Sequence, residues 1–333
     1  MSARLRRTAV PVVAFALLAA FMLVLPAFVN DFRAQQFAYV AIYLVAITGL
    51  NVLSGYTGQI SLGHGAFMAI GGYTTAILMT DYGVKDVWTI PAAALVAGAA
   101  GVLFGIPATR LSGLYLALAT FAIAVATPPV IKRFEGFTGG GSGINLFGTE
   151  ELTASLTPVE ILGFELNFNN WLYYLCATVS LVLYVVAWLF LRGRTGRALR
   201  AVRDSETAAV SFGVSLTRYK TLAFGVSAAY AGVAGSLFAI ATTFVNPDTF
   251  PISLSIFLLV GVVVAGLGSL AGLVAGAIFI QFLPLWAQEV SKSPGAPAVV
   301  YGAILIAVMF LLPYGVAGLI ARLLRPRRGS TGI

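Results

Sequence analysis

The 333-residue sequence contains few charged residues, one cysteine and one histidine. Asp, Glu, Lys and Arg make up 10% of it and hydrophobic residues 59%, against about 25% and about 45–50% in soluble globular proteins. So few charges cannot cover the surface of a soluble protein of this length. The composition therefore predicts an integral membrane protein.

Several chemistries are excluded by what the sequence lacks. A single cysteine, Cys176, forms no intramolecular disulfide and no site of several cysteine ligands. Neither the phosphate-binding pattern GxxxxGK[ST] nor a TVGYG filter is present, and no regular row of arginines could sense voltage. We expect no metal site, no cofactor and no enzymatic activity in this chain, and any energy source on a separate subunit.

Stretches without a charged residue show where the chain can cross a membrane, which takes about 20 mainly apolar residues. Six such stretches fit one span each, and two, 34–80 and 249–288, fit two spans with breaks near Ser54–Gly58 and Leu267–Ala271. The predicted fold is an all-α polytopic bundle of about ten transmembrane helices in one permease domain. This domain spans 1–333, with six spans in 8–191, a cytoplasmic segment at 192–220, four spans in 221–321 and a basic tail at 322–333.

The positions of the basic residues test this topology, because cytoplasmic loops carry an excess of Lys and Arg. With both termini inside, ten spans place 15 of the 20 basic residues on the cytoplasmic side, together with two acidic residues, Asp204 and Glu206. The net charge of +8 therefore describes orientation and does not indicate a nucleic-acid partner.

Glycine is abundant, with 36 residues, and Gly268, Gly272 and Gly276 have the spacing of two overlapping GxxxG steps. Such spacing is typical of closely packed membrane helices. We therefore predict a helix-packing face at these three glycines.

The most polar membrane segment is 49–75, which is also rich in glycine. It is either a polar turn followed by a glycine-packed helix or a discontinuous helix that lines a pathway, since broken backbone at membrane depth needs protein or a water-filled cavity around it. His64 is either a hydrogen-bonded packing residue or a proton relay. The candidate pathway residues are Asn51, Ser54, Gln59, Ser61, His64, Phe67, Thr120 and Phe121.

The cytoplasmic segment contains an amphipathic helix over 196–209. Leu199, Val202 and Ala208–Ala209 fall on one face, and arginines cover the rest. Asp204 and Ser205 can cap a following turn. Such a helix can lie on the membrane or dock into a groove of a soluble partner, and periodicity leaves both readings open.

Five segments carry a resemblance to a known family. Residues 196–220, GRALRAVRDSETAAVSFGVSLTRYK, and the following LAFGVSAAYAGVAGSLFA resemble the cytoplasmic signature of ABC importer permeases. NVLSGYTGQISLGHGAFMAIGGY, LYLALATFAIA, FTGGGSGI and GLGSLAGLVAGA match in the same order. The resemblance covers about residues 36–320 and is to the branched-chain amino-acid permeases of the LivH/LivM kind, the LivM-like members in particular.

The resemblance implies an ABC importer permease subunit in the bacterial inner membrane, with both termini cytoplasmic. Its implied partners are a second homologous permease in a heterodimer, two cytoplasmic ATPase subunits, an extracytoplasmic binding protein landing on the outer loop 133–165, and the lipid bilayer. Residues 197–213 would be the coupling helix: Leu199, Val202 and Ala209 would fill the ATPase groove, and the arginines with Asp204 and Glu206 would contact its rim. The ATPase-coupling residues are Arg197, Leu199, Arg200, Ala201, Val202, Arg203, Asp204, Ser205, Glu206, Ala208, Ala209, Phe212 and Gly213.

Two other functions stay open at this stage. Urea or short-amide ABC permeases share the resemblance, and a small neutral solute could also cross through an ATP-independent channel or secondary carrier. The ligand of the cognate binding protein would distinguish a branched-chain amino-acid permease from a urea or short-amide permease. Dependence of uptake on the ATPase would distinguish an ABC permease from a channel or secondary carrier.

Overall fold

A computed structural model describes residues 30–146, 167–290, 296–311 and 315–323. Six helical stretches within them are long and apolar enough to cross a membrane: Asp31–Gly55, Asp86–Ala108, Leu114–Arg133, Phe168–Arg192, Leu216–Thr242 and Pro247–Ala265. The all-α polytopic fold is thereby confirmed. The count of ten spans and the division of the domain stay predictions, because the first charge-free stretch, 8–30, which the sequence analysis counts as one span, lies almost wholly outside the described residues.

The helices are α1 Asp31–Leu50, α2 His64–Thr80, α3 Asp86–Ala108, α4 Leu114–Arg133, the short α5 Glu135–Thr138, α6 Phe168–Arg192, α7 Arg194–Asp204, α8 Glu206–Ser211, α9 Leu216–Thr242, α10 Ile252–Ala265, α11 Leu273–Val290, α12 Ala296–Leu311 and α13 Gly315–Leu323. A π-helical turn, Asn51–Gly55, extends α1, and a 3-10 turn, Pro247–Thr249, precedes α10. The charge-free stretch 293–321, which the sequence analysis counts as one span, contains α12 and most of α13.

Two short strands join the loop after α5 to the end of α9. β1, Ile144–Asn145, pairs antiparallel with β2, Phe244–Val245, with Ile144 opposite Val245. The sequence analysis missed this pair, because strands of two residues are too short to show a periodicity.

Helices α1 and α9 form the centre of the bundle, with most of their residues buried. α9 packs along α3 and α2 and also against α1, and α6 packs on α1. α4 is the most exposed of the six spans and buries only a narrow stripe. That stripe consists of Leu116, Ala117, Thr120 and Ala124.

Close helix packing in this centre depends on glycine. A Cβ at Gly71 of α2 would overlap the backbone of Gly232 in α9, and a Cβ at Gly235 would overlap the carbonyl group of Met68. The two backbones touch directly, which only residues without a side chain permit.

The two expected breaks are both present. The extended α1 ends at Thr57, and residues 58–63 are non-helical before α2 begins at His64. The second break separates Ala265, the last residue of α10, from Leu273, the first residue of α11.

One part of the glycine prediction is wrong. Gly268 lies in the second break with φ +77, so it belongs to a turn that favours glycine and not to a helical face shared with Gly272 and Gly276. The other two glycines do sit at close approaches, since a Cβ at Gly272 would overlap Ala265 and one at Gly276 would overlap Gly261. The GxxxG spacing therefore spans a turn.

Candidate functional site: the helix pair and the two breaks

The predicted coupling segment forms two consecutive helices, α7 and α8. They are separated at Ser205, whose backbone is extended and whose hydroxyl oxygen accepts a hydrogen bond from the Ala208 N–H at 3.3 Å. Ser205 thus caps α8, one of the two residues expected in this role. We call α7 and α8 together the helix pair.

The apolar face of the helix pair points into this chain, not towards a partner. Leu199, Val202 and Ala209 are almost fully buried. The prediction that they fill an ATPase groove is therefore wrong: the amphipathic helix buries its apolar face against the nearest apolar surface, which the same chain supplies. Leu199 packs in a cluster with Val52, Leu53, Tyr56, Ala108, Leu116, Leu191, Ala223 and Phe224.

The outer face of the helix pair ends in an exposed aromatic residue. Phe212, just after α8, has 87% of its surface exposed, and Val210, two residues earlier, has 53%. Val210 and Phe212 are two neighbouring exposed apolar residues in a basic segment, and together they are a candidate for a surface that a partner covers. The sequence analysis did not include Val210 among the coupling residues, because it lies off the predicted apolar face and no motif pointed to it. The other predicted coupling residues with exposed side chains or backbone are Arg197, Arg200, Arg203, Asp204, Glu206, Ala208 and Gly213, and Ala201 and Ser205 are partly exposed.

Two of the arginines contact the end of α1. Arg203 donates a hydrogen bond from Nη1 to the Gly55 carbonyl oxygen at 2.5 Å, and the Arg200 guanidinium lies 5.9 Å from the centre of the Tyr56 ring. Burial raises the pKa of the Tyr56 hydroxyl, while the guanidinium groups of Arg200 and Arg203 act in the opposite direction. Both arginines were expected on the ATPase rim, and the structure engages them within the chain.

Glu206 also has a partner within the chain. Its carboxylate lies 2.7 Å from Nζ of Lys220, whose side chain is almost fully buried at the start of α9. The sequence analysis counted Lys220 among the orienting charges and missed its pairing, because a buried lysine and a solvated one look alike in sequence.

Asn51 holds the two breaks together. Its side-chain oxygen accepts a hydrogen bond from the Gly268 N–H at 2.9 Å, and its amide nitrogen donates to the Ser269 carbonyl at 3.1 Å. A third side chain, Tyr184 of α6, donates to the Leu270 carbonyl at 2.7 Å. The second break is therefore fixed from two directions by side chains that satisfy its backbone.

Backbone groups in and next to the non-helical residues 58–63 are satisfied in the same way. The Leu62 N–H donates to the Thr120 hydroxyl oxygen at 2.9 Å, and the Gly65 N–H donates to Ser255 at 2.8 Å. Ser54 donates to the Gln59 carbonyl at 3.0 Å. Backbone without helical partners thus survives inside the bundle because polar side chains replace those partners.

The predicted pathway residues are mostly internal. Asn51, Ser54, Gln59, Ser61, His64, Phe67 and Thr120 are buried, and Phe121 is 40% exposed. The His64 ring nitrogen Nε2 lies 2.9 Å from the Ala46 carbonyl oxygen, which fits the packing role. The structure shows the buried residues supporting the breaks, and their lining of a pathway stays a prediction. Ile60, within the first break, is 48% exposed.

Comparisons with known proteins agree on one family. The family model described as "Branched-chain amino acid transport system / permease component" matches residues 33–311. The chain is 38% identical over 255 residues to the high-affinity branched-chain amino acid transport system permease protein LivM of Salmonella typhimurium, covering 72% of this chain and 60% of that protein.

Two other relatives are also branched-chain amino acid permease proteins. Identity to LivM of Escherichia coli K12 is 39% over 259 residues, again 72% of this chain and 60% of the relative. The permease protein BraD of Pseudomonas aeruginosa is 24% identical, with 83% of this chain and 91% of that protein covered. The chain thus spans three fifths of the two LivM proteins. No solved structure matches it significantly.

Proposed function

Since this chain belongs to the family of branched-chain amino acid transport system permease components, we propose that it is the membrane permease subunit of an ABC importer for branched-chain amino acids. It is a multi-pass membrane protein, and we infer that it is a transport subunit and not an enzyme. ATP hydrolysis takes place on separate cytoplasmic subunits.

The observation that carries the proposal is the exposed end of the helix pair. Phe212 and Val210 project from a basic cytoplasmic segment whose own apolar face is already buried in this chain. An anchored helix with an exposed aromatic tip suits insertion into a groove of a soluble subunit, because buried aromatic residues dominate the energy of such interfaces. The groove would hold Phe212, while Leu199 and Val202 keep the pair attached to the membrane domain.

The partners follow from this arrangement. Two cytoplasmic ATPase subunits bind the helix pair of this chain and that of a second, homologous permease, and an extracytoplasmic binding protein delivers the amino acid. The asymmetry of Lys and Arg supports an inner-membrane orientation with both termini in the cytoplasm. The ATPases alternate between two arrangements, and only differential contacts with the helix pair transfer that change to the membrane domain.

The test is uptake by cells that lack their own branched-chain amino-acid importers. The cells express this chain with its second permease, ATPases and binding protein, and take up radiolabelled leucine. We expect uptake that excess unlabelled isoleucine or valine suppresses and excess urea does not. If only urea suppressed uptake, the chain would be a urea permease of the same family. If uptake persisted without the ATPase genes, the chain would not be part of an ABC importer.

A further inference from the structure

The helix pair and the two breaks meet at a single group of five residues. Asn51 and Gly55 belong to the π-helical turn of α1, Gly268 and Ser269 to the second break, and Arg203 to α7. We call these five residues the break cluster. Through it, a segment that faces the cytoplasm contacts both interruptions of the transmembrane helices.

The break cluster leaves no room for independent movement. A Cβ on Gly55 would overlap the Asn51 side-chain oxygen and lie 2.5 Å from the Gly268 nitrogen. A Cβ on Gly268 would lie 2.5 Å from Arg203 Nη1 and 2.9 Å from the Gly55 carbonyl oxygen. Such tightly packed groups shift together between discrete arrangements and do not deform gradually.

Arg203 is the link in this cluster that comes from the helix pair. Its side chain runs from the exposed face of α7, passes Gly58 with Cγ, and ends on the Gly55 carbonyl. A charge-assisted hydrogen bond to a backbone carbonyl is stronger than a neutral one and has a fixed direction. Asn51 then connects Gly55's turn to Gly268 and Ser269 by two further hydrogen bonds.

We propose that Arg203 is a positioning residue that carries movement of the helix pair to both helix breaks at once. A shift of α7 changes the place of the Gly55 carbonyl, and the Asn51 amide passes that shift to the turn between α10 and α11. The inference rests on the proposed function, since it needs an ATPase that moves the helix pair. It adds the route inside this chain by which that movement reaches the membrane domain.

The test measures leucine transported per ATP hydrolysed by the complete complex in proteoliposomes, with leucine presented by the cognate binding protein. Arg203→Gln is expected to keep the ATPase subunits bound and hydrolysing ATP while the ratio falls by about tenfold, the scale of one lost hydrogen bond to a charged group. Arg203→Met keeps an aliphatic side chain beside Gly58 and is expected to behave alike. The matched control is Arg194→Gln, which removes the same charge from an exposed position of the same helix.

A second readout needs no transport. Hydrogen exchange at the Gly268 amide, whose acceptor is Asn51, is expected to be faster in Arg203→Gln than in the wild-type complex. A wild-type ratio in both Arg203 variants, or unchanged exchange at Gly268, would overturn the inference while ATP-driven uptake stands. If the wild-type complex shows no ATP-dependent uptake, the proposed function fails and the transmission role fails with it.

Discussion

The carboxylate of Glu206 lies 2.7 Å from the ammonium nitrogen of Lys220, a lysine that is only 3% exposed. The pair joins the first residue of α8 to the fifth residue of α9, so it fixes the helix pair against a central helix of the bundle. A buried cation needs a partner, because desolvation without compensation is strongly unfavourable.

Replacing Glu206 by Gln is therefore expected to lower the free energy of unfolding by about 1 to 3 kcal/mol, since Lys220 loses its anionic partner. The midpoint of thermal unfolding of the detergent-solubilised protein measures this. Asp204→Asn, which removes a neighbouring exposed carboxylate, serves as control and should leave the midpoint near wild type. The double variant Glu206→Gln, Lys220→Met should recover most of the loss, and a double variant as unstable as the single one would contradict the account.

Gly71→Ala is expected to lower the free energy of unfolding by about 1 to 3 kcal/mol, because the new methyl group would overlap the Gly232 backbone. Gly302→Ala in α12 is the matched control, since a Cβ there meets no atom within 4 Å. Alanine is the better helix former, so this control should be neutral or slightly stabilising. The yield and thermal midpoint of the monodisperse protein check both, and equal effects of the two substitutions would rule out direct backbone contact.

Thr120→Val keeps the shape of the side chain but removes the acceptor of the Leu62 N–H. We expect a loss of about 1 kcal/mol, the usual value of one hydrogen bond, and faster exchange of the Leu62 amide. Thr127→Val on the same helix removes only a local bond to the Ile123 carbonyl and should leave Leu62 unchanged. Unaltered exchange at Leu62 in Thr120→Val would show that another group holds the first break.

Phe212→Ala is expected to weaken binding of the ATPase subunits by about 2 kcal/mol, roughly thirtyfold, as for a central aromatic residue of an interface. Co-purification of the ATPase with the solubilised permease, titrated with ATPase concentration, measures the change. Phe137→Ala, which removes a similarly exposed phenylalanine after α4, is the control and should bind normally. Equal binding by Phe212→Ala and the wild type would remove the helix pair from the interface.

The sequence predicted the parts of this architecture that depend on local chemistry. Runs without charge predicted the helices, glycine and polar residues predicted the break after Thr57, and the short hydroxyl side chain of Ser205 predicted the cap of α8. Each of these signals is carried by neighbours in the chain, so it can be read without knowledge of the packing.

The sequence could not predict which surface a buried face contacts. The spacing of Leu199 and Val202 requires burial, but it is the same for a face that covers its own chain as for one that enters a partner. The Asn51 contact with Gly268 joins residues 217 positions apart, and no local pattern records such a pair. The same applies to Lys220 and Glu206, whose pairing depends on how α9 meets α8.

The most direct test of the central claim is leucine uptake into proteoliposomes that contain this chain, its second permease and the two ATPases, with the binding protein outside and ATP supplied on the ATPase side. The account predicts uptake only when ATP, the ATPases and the binding protein are all present, and none with a non-hydrolysable ATP analogue. Leucine uptake at the same rate without ATP would contradict it.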